Sequence, residues 1–284
     1  MEVRDLWPQT LVDMGAFREG HLLIRLLRVL EKFLYHRAER IIILLPRADE
    51  YIAGLGIDPD RIRWIPNGVN LSQFSVQKPQ ALANGQFTVM YVGNHGRNAL
   101  KTLLDSAKVV QSRGCSDIQF VLIGDGHEKP RLMAYGEQLG LVNTEFRDPI
   151  PKAQVPAALQ TADVLVSVLR DLTLYKYGIS LNKLFDYLAA GKPVILTGNP
   201  LNNIVKEAQC GLLAPPNDPD ALAGAVINLY KMPSEERKSM GKRGRAYVSR
   251  HHDYEVLARR LQQVIEELFD DAGGKNSACN QAPG

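Results

Sequence analysis

The chain has 284 residues, which is enough for one large domain or two of ordinary size. A hydrophobic fraction of 45% and a charged fraction of 23% fit a soluble globular protein. The net charge of +3 is too small to indicate a nucleic-acid partner. No run reaches the roughly 18 apolar residues that a membrane-spanning helix requires. The first residues, MEVRDLWPQT, lack the basic region and apolar core of a signal peptide.

The cysteines and histidines follow no metal-binding or disulfide pattern. The three cysteines are far apart and odd in number, which favours a reducing compartment. The six histidines have no supporting spacing, although His251 and His252 are adjacent. We therefore expect a cytoplasmic protein without a bound metal.

The first 66 residues predict a strand end at VRDLW (3–7), helices, and one strand at RIIILL (40–45). Segment 18–40 has one apolar face, and its basic residues outnumber its acidic ones. A basic amphipathic helix lies on an anionic membrane surface, which would place the protein on the inner face of the cell membrane. The alternative is an ordinary helix that packs on a sheet, which needs the same apolar stripe. Both interpretations stay open.

From Phe87 onward, short apolar runs alternate with helical stretches. The predicted strands are FTVMYV (87–92), IQFVLI (118–123), DVLVSV (163–168) and PVILT (193–197). The predicted helices lie near 99–112, 128–139, 152–161 and 181–190. Continuous rather than alternating apolar runs are typical of parallel strands that are buried on both faces. The pattern predicts a doubly wound α/β sheet, whose ligands bind at the carboxyl ends of the strands.

Three loops at that edge are rich in glycine and polar residues: GNHGRN (93–98), IGDGHEK (123–129) and LRDLTLYKYGIS (169–180). Any one of them is explained by a tight strand–helix turn. Glycine also lets backbone N–H groups approach a ligand, and helix N-termini favour anions. Three such loops at one edge favour a phosphate-bearing ligand.

Four motifs occur in a specific order: IPNGVNLSQF (65–74), YVGNHG (91–96), IGDGHEKPRL (123–132) and ISLNKLFDYLAAGKPVI (179–195). In this combination the chain resembles the GT-B superfamily, specifically the retaining nucleotide-sugar glycosyltransferases of family four. Within that family it is similar to bacterial enzymes of surface-polysaccharide synthesis, of the colanic acid and N-acetylfucosamine type. The resemblance runs from about Glu2 to about Phe269.

The resemblance implies a complete C-terminal Rossmann-like domain and an incomplete N-terminal one. The implied division is an acceptor-domain remnant at 1–66, a linker at 67–86 and a nucleotide-sugar donor domain at 87–253. A helix at 254–271 would pack back on the N-terminal part, and 272–284 would be a disordered tail. Full-length relatives carry a further hundred or more residues before the point where this chain begins. We therefore expect an N-terminally truncated chain whose catalytic residues are unknown and belong to the absent part.

The resemblance assigns the ribose to Asp186, which stands at the second position of the family's Glu-x7-Glu pair. Gly178 occupies the first position and cannot contact the sugar by a side chain. Lys183 would bind the donor diphosphate together with the backbone of Gly178, Ile179 and Ser180. A lysine in a first helical turn is unfavourable with the helix dipole, so its position there favours a bound anion. Asp186 as a dipole-favoured surface carboxylate and Lys183 as a solvated charge are the alternatives.

Further diphosphate residues implied by the family are Gly93, Arg97 and Lys101, and Ile150 corresponds to the position whose backbone meets the nucleobase. The family needs neither a metal nor another cofactor, and a UDP-sugar is favoured over a GDP-sugar as donor. The implied function is transfer, with retention, of a hexose or amino sugar to a lipid-linked or other glycan acceptor. The alternative is a non-catalytic nucleotide-sugar binding module, or one half of a two-chain enzyme.

Overall fold

The computed structural model describes residues 1–74, 85–96 and 100–279, and the side chains among them as far as Phe269. The first part of the chain forms a small parallel sheet with helices beside it. Its elements are β1 (Glu2–Val3), α1 (Gln9–Asp13), α2 (Leu22–Arg37), β2 (Ile41–Ile43), α3 (Ala48–Ala53) and β3 (Ile62–Trp64). The three strands pair in the order β1-β2-β3. The predicted strands at 3–7 and 40–45 are therefore present but shorter.

Helix α2 turns a partly polar face inward. Glu31 and Tyr35 are buried, and the Glu31 carboxylate accepts hydrogen bonds from the hydroxyls of Tyr35 (3.2 Å) and Tyr51 (3.0 Å). The outward face is apolar, with these side chains exposed: Leu22, Leu23, Leu26, Val29, Leu30, Phe33 and Leu34. The apolar stripe of segment 18–40 thus faces away from the sheet of its own domain.

The second part of the chain is a six-stranded parallel sheet between two layers of helices. Its strands are β4 (Phe87–Val92), β5 (Ile118–Ile123), β6 (Thr144–Arg147), β7 (Val164–Ser167), β8 (Val194–Thr197) and β9 (Gly211–Ala214). Its helices are α4 (Leu100–Ser112), α5 (Lys129–Gln138), α6 (Val155–Thr161), α7 (Asn182–Ala189), α8 (Ile204–Glu207), α9 (Pro219–Lys231) and α10 (Ser234–His251). The strand order is β6-β5-β4-β7-β8-β9. A separate apolar core fills each side of this sheet.

The four strands predicted in this region are confirmed to within one residue at each end. The edge strands β6 and β9 were missed because each pairs with one neighbour only and carries exposed positions. Three of the four residues of TEFR are polar, and glycine opens GLLA, so neither segment forms a continuous apolar run.

The order of the strands places a ligand crevice at β4. The chain runs outward from β4 through β5 to β6, and then returns to the other side of β4 with β7. The loops that follow β4 and β7 therefore diverge at this point of the sheet. Such a switch point, at the carboxyl ends of the strands, is where open α/β sheets bind ligands.

The chain passes between its two parts twice, near Val69 and near His252, and the two segments lie side by side. The Val69 N–H donates to the His252 carbonyl (2.9 Å), and the Tyr254 N–H donates to the Val69 carbonyl (3.1 Å). A Cβ on Gly68 would lie 2.3 Å from the same His252 oxygen, so the crossings meet where no side chain fits. Residues 75–84 of the predicted linker lie outside the described residues.

Helix α11 (Tyr254–Cys279) returns to the N-terminal part, where the Glu267 carboxylate pairs with Arg63 at 2.8 Å. The helix continues beyond the predicted end at 271, so the predicted tail 272–284 is helical as far as Cys279, and 280–284 lie outside the described residues. In the described part of the chain, no helix has both the length and the apolar composition required to cross a bilayer.

Candidate active site

A cleft of about 400 Å³ opens at the carboxyl edge of the sheet. It is formed by the loops after β4, β5 and β6 and by the start of α6. The residues that line it are Val92, Gly93, Asn94, Ile123, Gly124, Asp125, Pro149, Ile150, Lys152 and Val155. Two of the sequence-predicted site residues, Gly93 and Ile150, are in this lining.

The loops after β4 and β5 interlock through glycine. The Gly93 N–H donates to the Ile123 carbonyl (3.0 Å), and the His95 N–H donates to the Asp125 carbonyl (2.8 Å). A Cβ on Gly124 would lie 2.0 Å from the Gly93 carbonyl oxygen, and the φ of Gly124 is +146°. Any side chain there would force the loops apart, so glycine sets the shape of the cleft floor.

Lys183 extends from the first turn of α7 to the same place. Its amine donates to the Tyr91 hydroxyl (2.8 Å) and lies 4.4 Å from the centre of the Tyr91 ring. A Cβ on Gly93 would be 3.0 Å from this amine. Burial lowers the pKa of Lys183 to about 8, which leaves the amine cationic at neutral pH. The structure thus brings two predicted diphosphate residues, Gly93 and Lys183, into contact.

Asp186 lies almost one turn further along α7, half-buried. Burial raises the pKa of its carboxyl to about 6, and the charge of Lys152 opposes the rise. Lys152 lines the cleft, so this interaction connects Asp186 to the cleft electrostatically. Sequence reasoning missed Lys152, although it directly follows the RDPIP loop that holds Ile150.

The GIS loop before α7 is fixed by protein groups, which corrects part of the predicted anion site. Ile179 donates its N–H to the Asn202 side-chain oxygen (2.7 Å) and accepts from the Asn202 amide (2.8 Å). The Gly178 N–H donates to the Tyr175 carbonyl (3.0 Å). The Ser180 hydroxyl accepts from the Asn67 N–H (2.9 Å). The N–H groups of Gly178 and Ile179 therefore already have protein partners, Tyr175 and Asn202, and are not free to bind an anion.

Gly178 packs against the N-terminal part of the chain. A Cβ built on it would lie 2.6 Å from two ring carbons of Pro46, and its φ is +96°. Next to this contact, the Arg47 N–H donates to the Tyr177 carbonyl (3.1 Å). The position at which the resembled family has a carboxylate is therefore closed by Pro46. Contact of the sugar with a side chain at this position is excluded by geometry as well as by residue type.

The remaining predicted diphosphate residues do not join this set. The Lys101 amine donates to the Tyr135 hydroxyl (2.7 Å) and contacts the Asp105 carboxylate (3.1 Å), both on the outer surface of α4 and α5. Local partners hold the Lys101 amine here, and its role at the diphosphate stays a prediction. Arg97 lies outside the described residues. Among those described, no group of three or more His, Cys, Asp or Glu side chains could hold a metal ion.

Sequence reasoning also missed His95, in the loop after β4. Its side chain is 1% exposed and is enclosed by the rings of Tyr91 and Phe146. Neither ring nitrogen has a hydrogen-bond partner in the part of the chain that the structure describes. The only signal in the sequence was its place inside the glycine loop GNHGRN.

The sequence around the cleft matches a known protein family. The family model described as "Glycosyl transferases group 1" matches residues 86–232, which contain the whole sheet and the cleft. The chain belongs to this glycosyltransferase family. The match confirms the predicted function class.

Two curated relatives are named as glycosyltransferases. The chain is 22% identical over 281 residues to the probable glycosyltransferase WbjE of Pseudomonas aeruginosa, with 95% of this chain and 68% of the relative covered. It is 24% identical to the putative colanic acid biosynthesis glycosyltransferase WcaL of Escherichia coli, with 80% of this chain and 57% of the relative covered. The chain thus spans between about half and two thirds of the length of the curated relatives it matches.

Solved glycosyltransferase structures confirm the GT-B fold. Anabaena Alr3699/HepE, solved in complex with UDP, matches with a TM-score of 0.73 at 14% identity, covering 94% of this chain and 71% of that one. The lipopolysaccharide glycosyltransferase WaaG matches with a TM-score of 0.71 at 16% identity, covering 93% and 74%. At these identities the likeness concerns the fold.

Proposed function

We propose that this glycosyltransferase family member binds a UDP-sugar in the cleft beside β4 and that the intact enzyme transfers the sugar with retention and without a metal. The observation that carries the proposal is the contact of Lys183 with Gly93 at the carboxyl edge of the sheet. A buried cation against a glycine backbone is a site for a phosphate group. The HepE structure with UDP, and another with UDP-glucose, support the choice of uridine nucleotide.

Each group has a separate task in this proposal. The Lys183 ammonium offsets the charge that develops on the diphosphate as it leaves the sugar, which is electrostatic stabilisation. The Asp186 carboxylate, in its ionised form, accepts hydrogen bonds from the ribose hydroxyls. Ile150 lies in the cleft wall, where its backbone meets the nucleobase. The donor sugar is a hexose or an amino sugar.

We further propose a lipid-linked glycan as acceptor, with the protein on the cytoplasmic membrane surface. The supporting observation is the outward stripe of α2, where Val29 is 69% and Phe33 60% exposed. Exposed basic residues, Arg25, Lys32 and Arg37, lie on the same helix. Apolar side chains flanked by cations suit the interface of an anionic bilayer.

The nucleotide part is tested by calorimetry of the full chain with UDP and GDP in EDTA. We expect binding of UDP without divalent metal, and weaker binding of GDP. An absence of heat and of any thermal shift with both nucleotides at millimolar concentration would refute the donor site.

The membrane part is tested by sedimentation with vesicles of phosphatidylglycerol and of phosphatidylcholine. Wild type is expected to sediment with the anionic vesicles, and Phe33→Glu to lose this binding. Val142→Glu is the matched control, because Val142 is 85% exposed in the donor half. Equal loss in both variants, or no binding by wild type, contradicts the membrane proposal.

The alternative function is a nucleotide-sugar binding module without catalysis. It is favoured by one observation, the closure of the Gly178 position by Pro46 where relatives of the resembled type carry a carboxylate. Release of UDP from UDP-glucose and UDP-N-acetylglucosamine separates the two functions. Binding without turnover, with an acceptor extract present, would support the binding module.

A further inference from the structure

His95 has polar atoms that the packing around it does not satisfy. The imidazole lies 5.8 Å from the Tyr91 ring and 6.1 Å from the Phe146 ring, centre to centre, and is almost fully buried. Neither nitrogen is hydrogen-bonded to any described residue. Leaving a buried polar group without a partner costs about 1–3 kcal/mol. A hydrophobic side chain would fill the space between the two rings without this cost, so the imidazole calls for a functional explanation.

The groups that face His95 come from four elements and one loop. The ammonium groups are those of Lys129 on α5 and Lys183 on α7, and the carboxylate is that of Asp125 after β5. The rings of Tyr91 on β4 and Phe146 on β6 pack against the imidazole. Burial and then the Lys129 charge lower the pKa of His95, and Asp125 opposes them. The imidazole is therefore neutral at pH 7.

The imidazole lies beside the glycine backbone that lines the cleft. Gly93 and Gly124 line the cleft. A Cβ on Gly124 would lie 3.3 Å from the His95 Nε2 atom. The Lys183 amine contacts the Tyr91 ring that the imidazole also packs against. His95 and Lys183 thus approach the Tyr91 ring from different elements, and the Lys183 charge acts on the imidazole.

We propose that His95 is a further diphosphate-binding residue, which takes up a proton when the nucleotide binds and donates a hydrogen bond to a phosphate oxygen beside Lys183. This inference rests on the proposed function, because it needs a diphosphate at Gly93 and Lys183. The phosphate charge favours the protonated imidazole against burial and the two ammonium charges, and it supplies the missing acceptor. The proton comes from the buffer, so binding has a calorimetric signature.

The first test measures that proton. UDP is titrated into the full chain at pH 7 in EDTA, in two buffers of different ionisation enthalpy. Wild type is expected to take up a proton from the buffer. Lys183 contributes little, because a group with a pKa of about 8 is already mostly protonated at pH 7. His95→Phe keeps the aromatic packing and removes the titration, so its proton uptake is expected to vanish.

The second test measures affinity. His95→Phe is expected to weaken UDP about tenfold, the scale of a charge-assisted hydrogen bond, and to leave uridine unchanged. His95→Gln retains an N–H donor and is expected to recover part of the UDP affinity without proton uptake. His36→Phe on α2 is the matched control, because that histidine is exposed in the other half of the chain.

The outcomes separate this inference from the function on which it rests. If wild type binds UDP without proton uptake, or His95→Phe binds UDP as wild type does, His95 is only a packing residue and the donor site stands. If wild type binds no UDP, both proposals fail. The wild-type measurement decides the point even if the variants do not fold.

Discussion

The two sheets of this protein bury their apolar residues to different degrees. The six-stranded sheet has helices on both faces, and its central strands β4, β7 and β8 are buried almost throughout. Beside the three-stranded sheet lies α2, most of whose apolar residues are exposed. The second part of the chain thus buries most of its apolar side chains internally. The N-terminal half presents them to a further surface, which we propose is a membrane.

The largest effect should come from the core of the donor half. Leu165→Ala in β7 removes a fully buried side chain and should lower the free energy of unfolding by about 2–5 kcal/mol. Leu26→Ala on α2 is the matched change at an exposed leucine and should cost less than about 0.5 kcal/mol. Urea denaturation measures both. Equal losses would mean that α2 is covered in solution and would remove the contrast between the two halves.

The second largest effect should be on nucleotide binding, and only variants in the second part of the chain should show it. Lys183→Met keeps the aliphatic stem and removes the charge, so UDP binding should weaken by about 1.5–3 kcal/mol and uridine binding much less. Lys32→Met on α2 should change neither affinity. Titration of both ligands against both variants is the measurement. Equal weakening of UDP and uridine by Lys183→Met would rule out the diphosphate role.

Within the donor half, Asp186→Asn should act on a different part of the ligand. A neutral amide in place of the carboxylate should weaken UDP and uridine alike, by about 1–2 kcal/mol. The double variant with Lys183→Met should be nearly additive, because the two groups contact separate ligand moieties. Calorimetry on the same series tests this. A selective loss of UDP alone would contradict the assignment of Asp186 to the ribose.

The smallest expected effect is the dependence of nucleotide affinity on pH. Asp186 accepts the ribose when ionised, so affinity should fall as pH drops below its pKa of about 6. Lys183 binds phosphate when protonated, so its contribution to UDP affinity should fall as pH rises above its pKa of about 8. The proton that His95 takes up with UDP adds a decline that begins already as pH rises through neutrality. Uridine should show only the acidic decline. Dissociation constants between pH 5 and 9 test this, and a basic decline for uridine would argue against it.

Sequence reasoning succeeded where the physical signal is local. Strand β4 was predicted to the residue because FTVMYV is a continuous apolar run, and α7 was predicted to within one residue at each end. Lys183 and Gly93 were both assigned to the diphosphate, and the structure brings them close together. The partner of the Lys101 amine, Tyr135, could not be foreseen because it lies 34 positions away. His95 left no local pattern, since its burial depends on Phe146 from another strand.

The double crossing has a consequence for α7. Asn67 lies at the crossing, where its carbonyl contacts a ring nitrogen of His252 (3.3 Å), and its side-chain amide donates to the Ser180 carbonyl (2.8 Å). Ser180 lies two residues before the start of α7, which carries Lys183 and Asp186. The Asn67–Ser180 hydrogen bonds therefore connect the crossing between the two parts of the chain to the start of this helix.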